Sequence, residues 1–259
     1  MTSLTRFVGF AVVVSTLLIG KTGIAAELDY WDGYYAGLNL GASASTAKMK
    51  FDPSGSFLGP TAADIADGNF WRSSRKLKSS DLTGGVHAGY QQRYGRTLVG
   101  IELDLSQLGQ RDSSSVTATV PTSGSQYRLE QQVETDLSIS LRPRIAYVPE
   151  SGSGDLLLYV TGGLTYTRAK VFQKFTQLNV AYYSEGLSDS RWLVGWVVGG
   201  GIEYALSKQW SLKTEYLYAN LGSIKKNNAS GNPGFAAYTT NNRVDLTNHT
   251  FRLGMTYRF

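Results

Sequence analysis

Bulky apolar residues fall at every second position through eight stretches of the chain, which is the period of a β-strand and not of a helix. The clearest is 97–108, where Val99, Ile101, Leu103 and Leu105 alternate with Gly100, Glu102, Asp104 and Ser106. The end of the chain repeats the pattern, with Phe251, Leu253, Met255, Tyr257 and Phe259 on one face and Arg252, Gly254, Thr256 and Arg258 on the other. Alternation of this kind predicts strands over 33–45, 82–94, 97–108, 133–148, 156–171, 191–206, 210–222 and 244–259. Pro143 lies within the fourth and has no N–H for the ladder, so a bulge or local break is expected there.

The connections alternate strictly between long and short. Polar segments at 46–80, 109–132, 172–190 and 223–243 read as long loops, and tight turns fall near Gly95, at 149–155 and at 207–209. This order predicts an all-β protein: an eight-stranded antiparallel transmembrane β-barrel with four long extracellular loops, short periplasmic turns and both ends on the periplasmic side. A spanning barrel must also close its last strand on its first, because lipid satisfies no open edge. Whether the strands run on into the first and third long segments is left open by the pattern. Aromatic residues near strand ends (Trp31, Tyr34, Tyr94, Tyr147, Trp192, Trp210, Tyr257, Phe259) are expected to form interfacial girdles.

A soluble eight-stranded carrier with an apolar interior would alternate in the same way. Residue size separates the two. One face is rich in glycine and carries Glu102, Asp104, Arg142, Arg144, Glu203, Lys213, Glu215, Arg252 and Arg258, while the other is uniformly bulky and includes Trp192 and Trp196. A narrow lumen favours small residues and paired charges, and a lipid face favours bulk. The charges are therefore expected to form an ion-pair network through the lumen and to leave it blocked.

Composition sharpens this picture. Charged residues make up 17% and aromatic residues 12%, and there is no cysteine, so disulfides, thiolate metal sites and a lipidated N-terminal cysteine are excluded. Arg6 precedes an apolar run at 7–20 and small residues at 22–26, which reads as a signal peptide over 1–26 ahead of a barrel at 27–259. Removing Arg6 and Lys21 takes the formal charge from +5 to +3, so the basic balance does not point to nucleic acid. Past the leader, no apolar stretch is long enough for a spanning helix.

The blocks WDGYYAGLNLG (31–41), GGVHAGYQQRYGRTLVGIELDLS (84–106), RPRIAYVPESGSGDLLLYVTGGLTYT (142–167), GWVVGGGIEYALSKQWSLKTEYLYANLGS (195–223) and FRLGMTYRF (251–259) resemble the small outer-membrane barrels of alphaproteobacteria. That group holds major surface antigens and haemin-binding proteins within the porin and OmpA-like membrane-domain superfamily. The resemblance spans all eight strands and implies a cell outer membrane location in a Gram-negative bacterium. No peptidoglycan-binding domain is expected after the barrel. The terminal Tyr257 and Phe259 are expected to serve as the signal read by the barrel-assembly machinery.

Three chemistries suggest themselves for the remaining residues. His87 and His249 are the only histidines. The haemin-binding relatives invite an iron-ligand role for one of them, against the plainer reading of a lumen side chain (His87) and a rim residue (His249). Arg72, Arg75, Lys76 and Lys78, with Phe70 and Trp71, form a basic loop suited to lipopolysaccharide phosphates or a host-surface polyanion. A hydrolase would have to use Ser or Thr with His249 and Asp245, which both fall on the outward parity and assemble no constellation. The expected protein is therefore not an enzyme and carries no cofactor or metal. Its expected role is in envelope integrity with loop-mediated surface contact, the alternatives being a narrow porin or a haemin-binding protein.

Overall fold

The computed structural model describes residues 29–55, 72–119, 124, 126–150, 155–178, 184–229 and 238–259. The expected leader and the loop residues Phe70 and Trp71 lie outside these. After a single 3-10 turn at Asp29–Trp31, the chain forms β1 (Gly33–Gly55), β2 (Ser73–Tyr94), β3 (Thr97–Thr119), β4 (Gln126–Tyr147), β5 (Leu156–Gln177), β6 (Ser184–Ala205), β7 (Trp210–Ala229) and β8 (Tyr238–Arg258). Each strand pairs antiparallel with its neighbour, and β8 closes on β1.

In the lower part of the barrel the faces fall as the alternation predicts. Leu38, Leu40, Ile101, Leu103, Trp196 and Leu253 point outward and are exposed, whereas Glu102, Arg142, Lys213 and Glu215 point inward and are buried. A carrier with its charges outside is thereby excluded, and the apolar exterior is the lipid-facing belt.

The strands run much further than their alternation suggested. Most of the polar stretches expected to be loops at 46–80, 109–132, 172–190 and 223–243 are strand, with β1 and β3 each reaching 23 residues. The reason is a reversal of hydrophobic phase. On β1 the outward residues change from Leu38 and Leu40 to Lys48 and Lys50, while the inward ones change from Asn39 and Ser43 to Ala47, Met49 and Phe51. The backbone continues unbroken, but the medium outside changes from lipid to water, so the interior takes over the apolar side chains.

The upper barrel also divides. Pairing of β2 with β3 stops at Gly84 and Gln107, and pairing of β6 with β7 stops at Trp196 and Asn220. Every other neighbouring pair continues to the strand tips. Above the bilayer the wall is thus two four-stranded sheets, β7–β8–β1–β2 and β3–β4–β5–β6, facing each other across two seams. Both seams begin at a bulge built on a left-handed glycine: Gly109 (φ 58) on β3, and Gly222 (φ 98) on β7. Between the sheets lies an ordinary sandwich core. Met49, Leu77, Ile224, Val244 and Leu246 from one sheet meet Leu108, Val133, Val171 and Leu193 from the other, with Phe51 stacked on Phe175 above them.

The local break expected at Pro143 is present. Around Pro143 the β4–β5 ladder skips Arg142 and Pro143 without shifting register, so there is a break but no bulge. The bulge falls instead between Thr135 and Ser138, and the extra residue turns Asp136 away from the lumen onto Lys170 (2.7 Å).

Unpaired edges predict uneven protection. In hydrogen exchange on the refolded barrel, seam-facing amides of β2 above Gly84 and β3 above Gln107 should exchange ~100-fold faster than amides of β1 and β8 at the same height. Uniform protection around the wall would contradict the division.

Candidate functional site

The lumen fills in layers from the periplasmic mouth upward. The turn before β1 inserts Trp31, 0% exposed, among Leu98, Val148, Leu157 and Ala205. It is held there by Gln91 Nε2, which donates to the Trp31 carbonyl (2.6 Å), and by the Arg258 guanidinium, 3.9 Å from the ring centroid. Trp31 is therefore a plug and not part of an interfacial girdle, because the chain turns inward before the first strand starts. The neighbouring Tyr30 hydroxyl donates to Asp155 (2.9 Å). Burial, followed by that bond, pushes its pKa up to about 12.

Above the plug sits the charge cluster. Register creates much of it, since Glu102 faces Arg142, Glu203 faces Lys213 and Glu215 faces Arg252 across adjacent strands. Glu102 is the hub. It accepts from Lys213 Nζ at 2.8 and 3.0 Å, Arg142 Nη2 at 2.5 Å, Arg144 Nη1 at 3.5 Å and the Tyr35 hydroxyl at 3.1 Å. Glu215 takes Arg252 Nε (2.7 Å) and the Tyr159 hydroxyl (2.9 Å), Asp104 takes Arg252 Nη2 (2.8 Å), and Glu203 takes Arg144 Nη2 (3.1 Å). Four buried carboxylates thus meet four buried bases, the balance that makes charge tolerable inside a protein. Arg258 stands apart, donating to the Tyr30 carbonyl (3.2 Å) below the cluster.

Sequence reasoning missed the two tyrosines of this cluster, Tyr35 and Tyr159. The signal was present in Tyr159, whose parity puts it on the lumen face, with the Arg144 guanidinium 4.2 Å from its ring centroid. Over the charges lies a layer of Ser and Thr side chains around a cavity of about 40 Å³, space for a few waters. The apolar sandwich core covers that.

The histidines do not come together. His87 is a lumen residue, 2% exposed, with Nε2 3.0 Å from the Thr256 hydroxyl. His249 faces outward, its Nδ1 2.7 Å from the Tyr216 hydroxyl, and its ring lies against Tyr218. Asp245 is taken by Arg243 (2.8 Å), so the Asp245 and His249 needed for a hydrolytic arrangement are engaged elsewhere.

The basic loop also resolves differently. Arg72, just before β2, pairs with Asp52 at 2.7 Å. Arg75 shares the inner face of β2 with Leu77, while Lys76 and Lys78 point outward into solvent. Arg75, Lys76 and Lys78 belong to a strand, and the outward pair is joined by Lys48 and Lys50 of β1, which sequence reasoning left in a loop. Tyr257 lies near the end of β8 and Phe259 just past it, their rings edge to face at 5.2 Å, with Trp210 packed on Tyr257.

Comparison with known proteins agrees with this architecture. Residues 13–259 match the family model described as outer membrane protein beta-barrel domain. The chain is 30% identical over 230 residues to the 31 kDa outer-membrane immunogenic protein of Brucella melitensis, covering 88% of this chain and 84% of that one, with the Brucella suis counterpart matching equally. The 25 kDa outer-membrane immunogenic protein of Brucella melitensis is 24% identical over the same length. Among solved structures, the outer membrane protein OprG of Pseudomonas aeruginosa superposes with a TM-score of 0.50 at 16% identity, covering 88% of this chain and 96% of that one.

Proposed function

Because the chain belongs to the outer membrane β-barrel family, we propose that this outer-membrane surface protein is a non-conducting scaffold that contributes to envelope integrity and presents its outer wall and loops for contact. The observation that carries the reading is the filled lumen. Trp31 occupies the mouth, the Glu102 cluster spans the middle with side chains almost fully buried, and an apolar core follows above. Moving an ion along this path means breaking compensated charge pairs and then wetting a hydrophobic layer, both costly. The Brucella relatives are described as immunogenic, which fits a protein displayed at the cell surface.

A narrow pore for small solutes is the competing function, and single-channel recording separates the two. Purified, heat-modifiable protein reconstituted in planar bilayers is expected to give no conductance steps above the lipid baseline. Steady, reproducible unitary steps would overturn the scaffold reading in favour of a pore.

A further inference from the structure

The seams leave four strand edges open, those of β2 and β3 at one and of β6 and β7 at the other. β3 and β7 carry the seam bulges. β2 instead keeps one unbroken register with β1 from Gln91 up to Ser73, so its seam side offers a regular row of N–H and C=O groups over 73–83, firmly backed by β1. Among the described residues, no strand claims that row. β6 is regular too, but its outward positions 188 and 190 are serines, and its Asp189 is engaged by Arg191. It offers a partner no charge to read there.

The β2 edge does carry such a signal. Ser74, Lys76, Lys78 and Ser80 are exposed on its outer side, and among the described residues neither lysine is in an ion pair. The outward acids of the same sheet, Asp52 and Asp245, are held by Arg72 (2.7 Å) and Arg243 (2.8 Å). On the inner side, Leu77 joins Ala47, Val133 and Leu246 in lining a shallow cleft, reached between Ser79 of β2 and Asp112 of β3. An added strand keeps its side chains in step with its neighbour's, so its outward positions fall beside Lys76 and Lys78 and the position between them falls over Leu77 and the cleft. Acid is favoured outside and apolar bulk inside. Lysines also deter strands of like charge. Two copies meeting at this seam would set the lysines against each other or against the exposed Arg111 of β3, so charge disfavours self-pairing here.

We propose that the seam edge of β2 binds an extended segment of another protein in which acidic and apolar residues alternate, adding it as a further strand to the β7–β8–β1–β2 sheet. Backbone hydrogen bonds hold the segment, Lys76 and Lys78 select its acids, and the cleft seats its apolar side chains. The inference rests on the surface-contact half of the proposed function and not on the filled lumen. Conductance steps would therefore remove the scaffold and leave the edge site standing, while an inert edge would leave the scaffold standing.

The test uses full-length protein refolded in detergent and two peptides blocked at both ends, Glu-Val-Glu-Val-Glu-Val-Glu and Lys-Val-Lys-Val-Lys-Val-Lys, followed by titration and hydrogen exchange. Wild type is expected to bind the acidic peptide at least tenfold more tightly than the basic one. The bound acidic peptide should slow the seam-facing amides of 73–83 at least tenfold and leave those of 184–195 unchanged. K76E/K78E is expected to reverse the preference with heat modifiability unchanged, and R168E/K174E, an equal charge change on the other sheet, to match wild type.

Two further forms of the acidic peptide, N-methylated at the valines or at the glutamates, each lose donors along one edge only. A strand turns a single edge to β2, so one form should bind at least tenfold more weakly than the other. Equal affinity of the two methylated forms would overturn the proposal, as would equal affinity of wild type and K76E/K78E for the acidic peptide or an equal loss in R168E/K174E. Protection of 73–83 before any peptide is added would mean that the chain itself fills the edge, or a second copy does if protection grows with protein concentration. Either result would also overturn it.

Discussion

Replacing Glu102 by Gln is expected to destabilise the folded barrel by about 3–5 kcal/mol, the loss typical of breaking a buried ion pair from one side. Glu102 is the acceptor shared by Lys213, Arg142, Arg144 and Tyr35. The neutral amide leaves Lys213 with Glu215 at 3.7 Å as its remaining charged contact and deprives Arg142 of its shortest bond. Reversible urea unfolding in detergent, followed by gel mobility and tryptophan fluorescence, measures the effect. A second variant, E102Q/K213M, removes the stranded cation together with its partner and should recover part of the loss. A drop below about 1 kcal/mol for the single variant would mean that the network is not coupled as its geometry indicates.

Gly163→Val is expected to abolish the compact, heat-modifiable form altogether. Gly163 lies on the lumen side where β5 passes β4, and a Cβ there would meet the Leu141 carbonyl oxygen at 2.0 Å and the Arg142 Cα at 2.9 Å. Both atoms are backbone, so no side-chain rotation relieves the clash, and a one-residue widening of the ladder would spread to the ion pairs of Arg142. This is also where the ladder skips Arg142 and Pro143. The neighbouring Gly162 is the control: its Cβ would point outward and come no closer than 3.4 Å to any atom, so Gly162→Val should fold normally. If the Gly163 variant assembled with wild-type mobility, the close approach of the two strands would not be a requirement of the fold.

The two halves of the molecule were unequally legible in the sequence. Within the bilayer, lipid outside and a cramped lumen inside force one face to be bulky and the other small or charged. Strand number, order and orientation could therefore be read from residues such as Val99 to Ser106. Higher up, Ala47-Lys48-Met49-Lys50-Phe51 still alternates, but in the opposite phase, and a reading that follows one phase takes the reversal for the end of a strand. The seams left even less trace: their only local marks are Gly109 and Gly222, two glycines among 29. Likewise, parity could place Glu102 and Arg142 on a common face, but only the stagger of the closed ring brings Tyr35 of β1 and Tyr159 of β5 to the same carboxylate cluster.

Both seams fall between strands joined by periplasmic turns, β2 to β3 and β6 to β7, and each outer connection links strands of the same sheet. The exposed part of the protein is therefore a pair of jaws, each made of two complete hairpins, with no covalent strap across the gap. Lengthening or shortening any one tip loads a single jaw. Sequence variation can accumulate on one side without dragging on the other, while the shared root in the membrane stays the same.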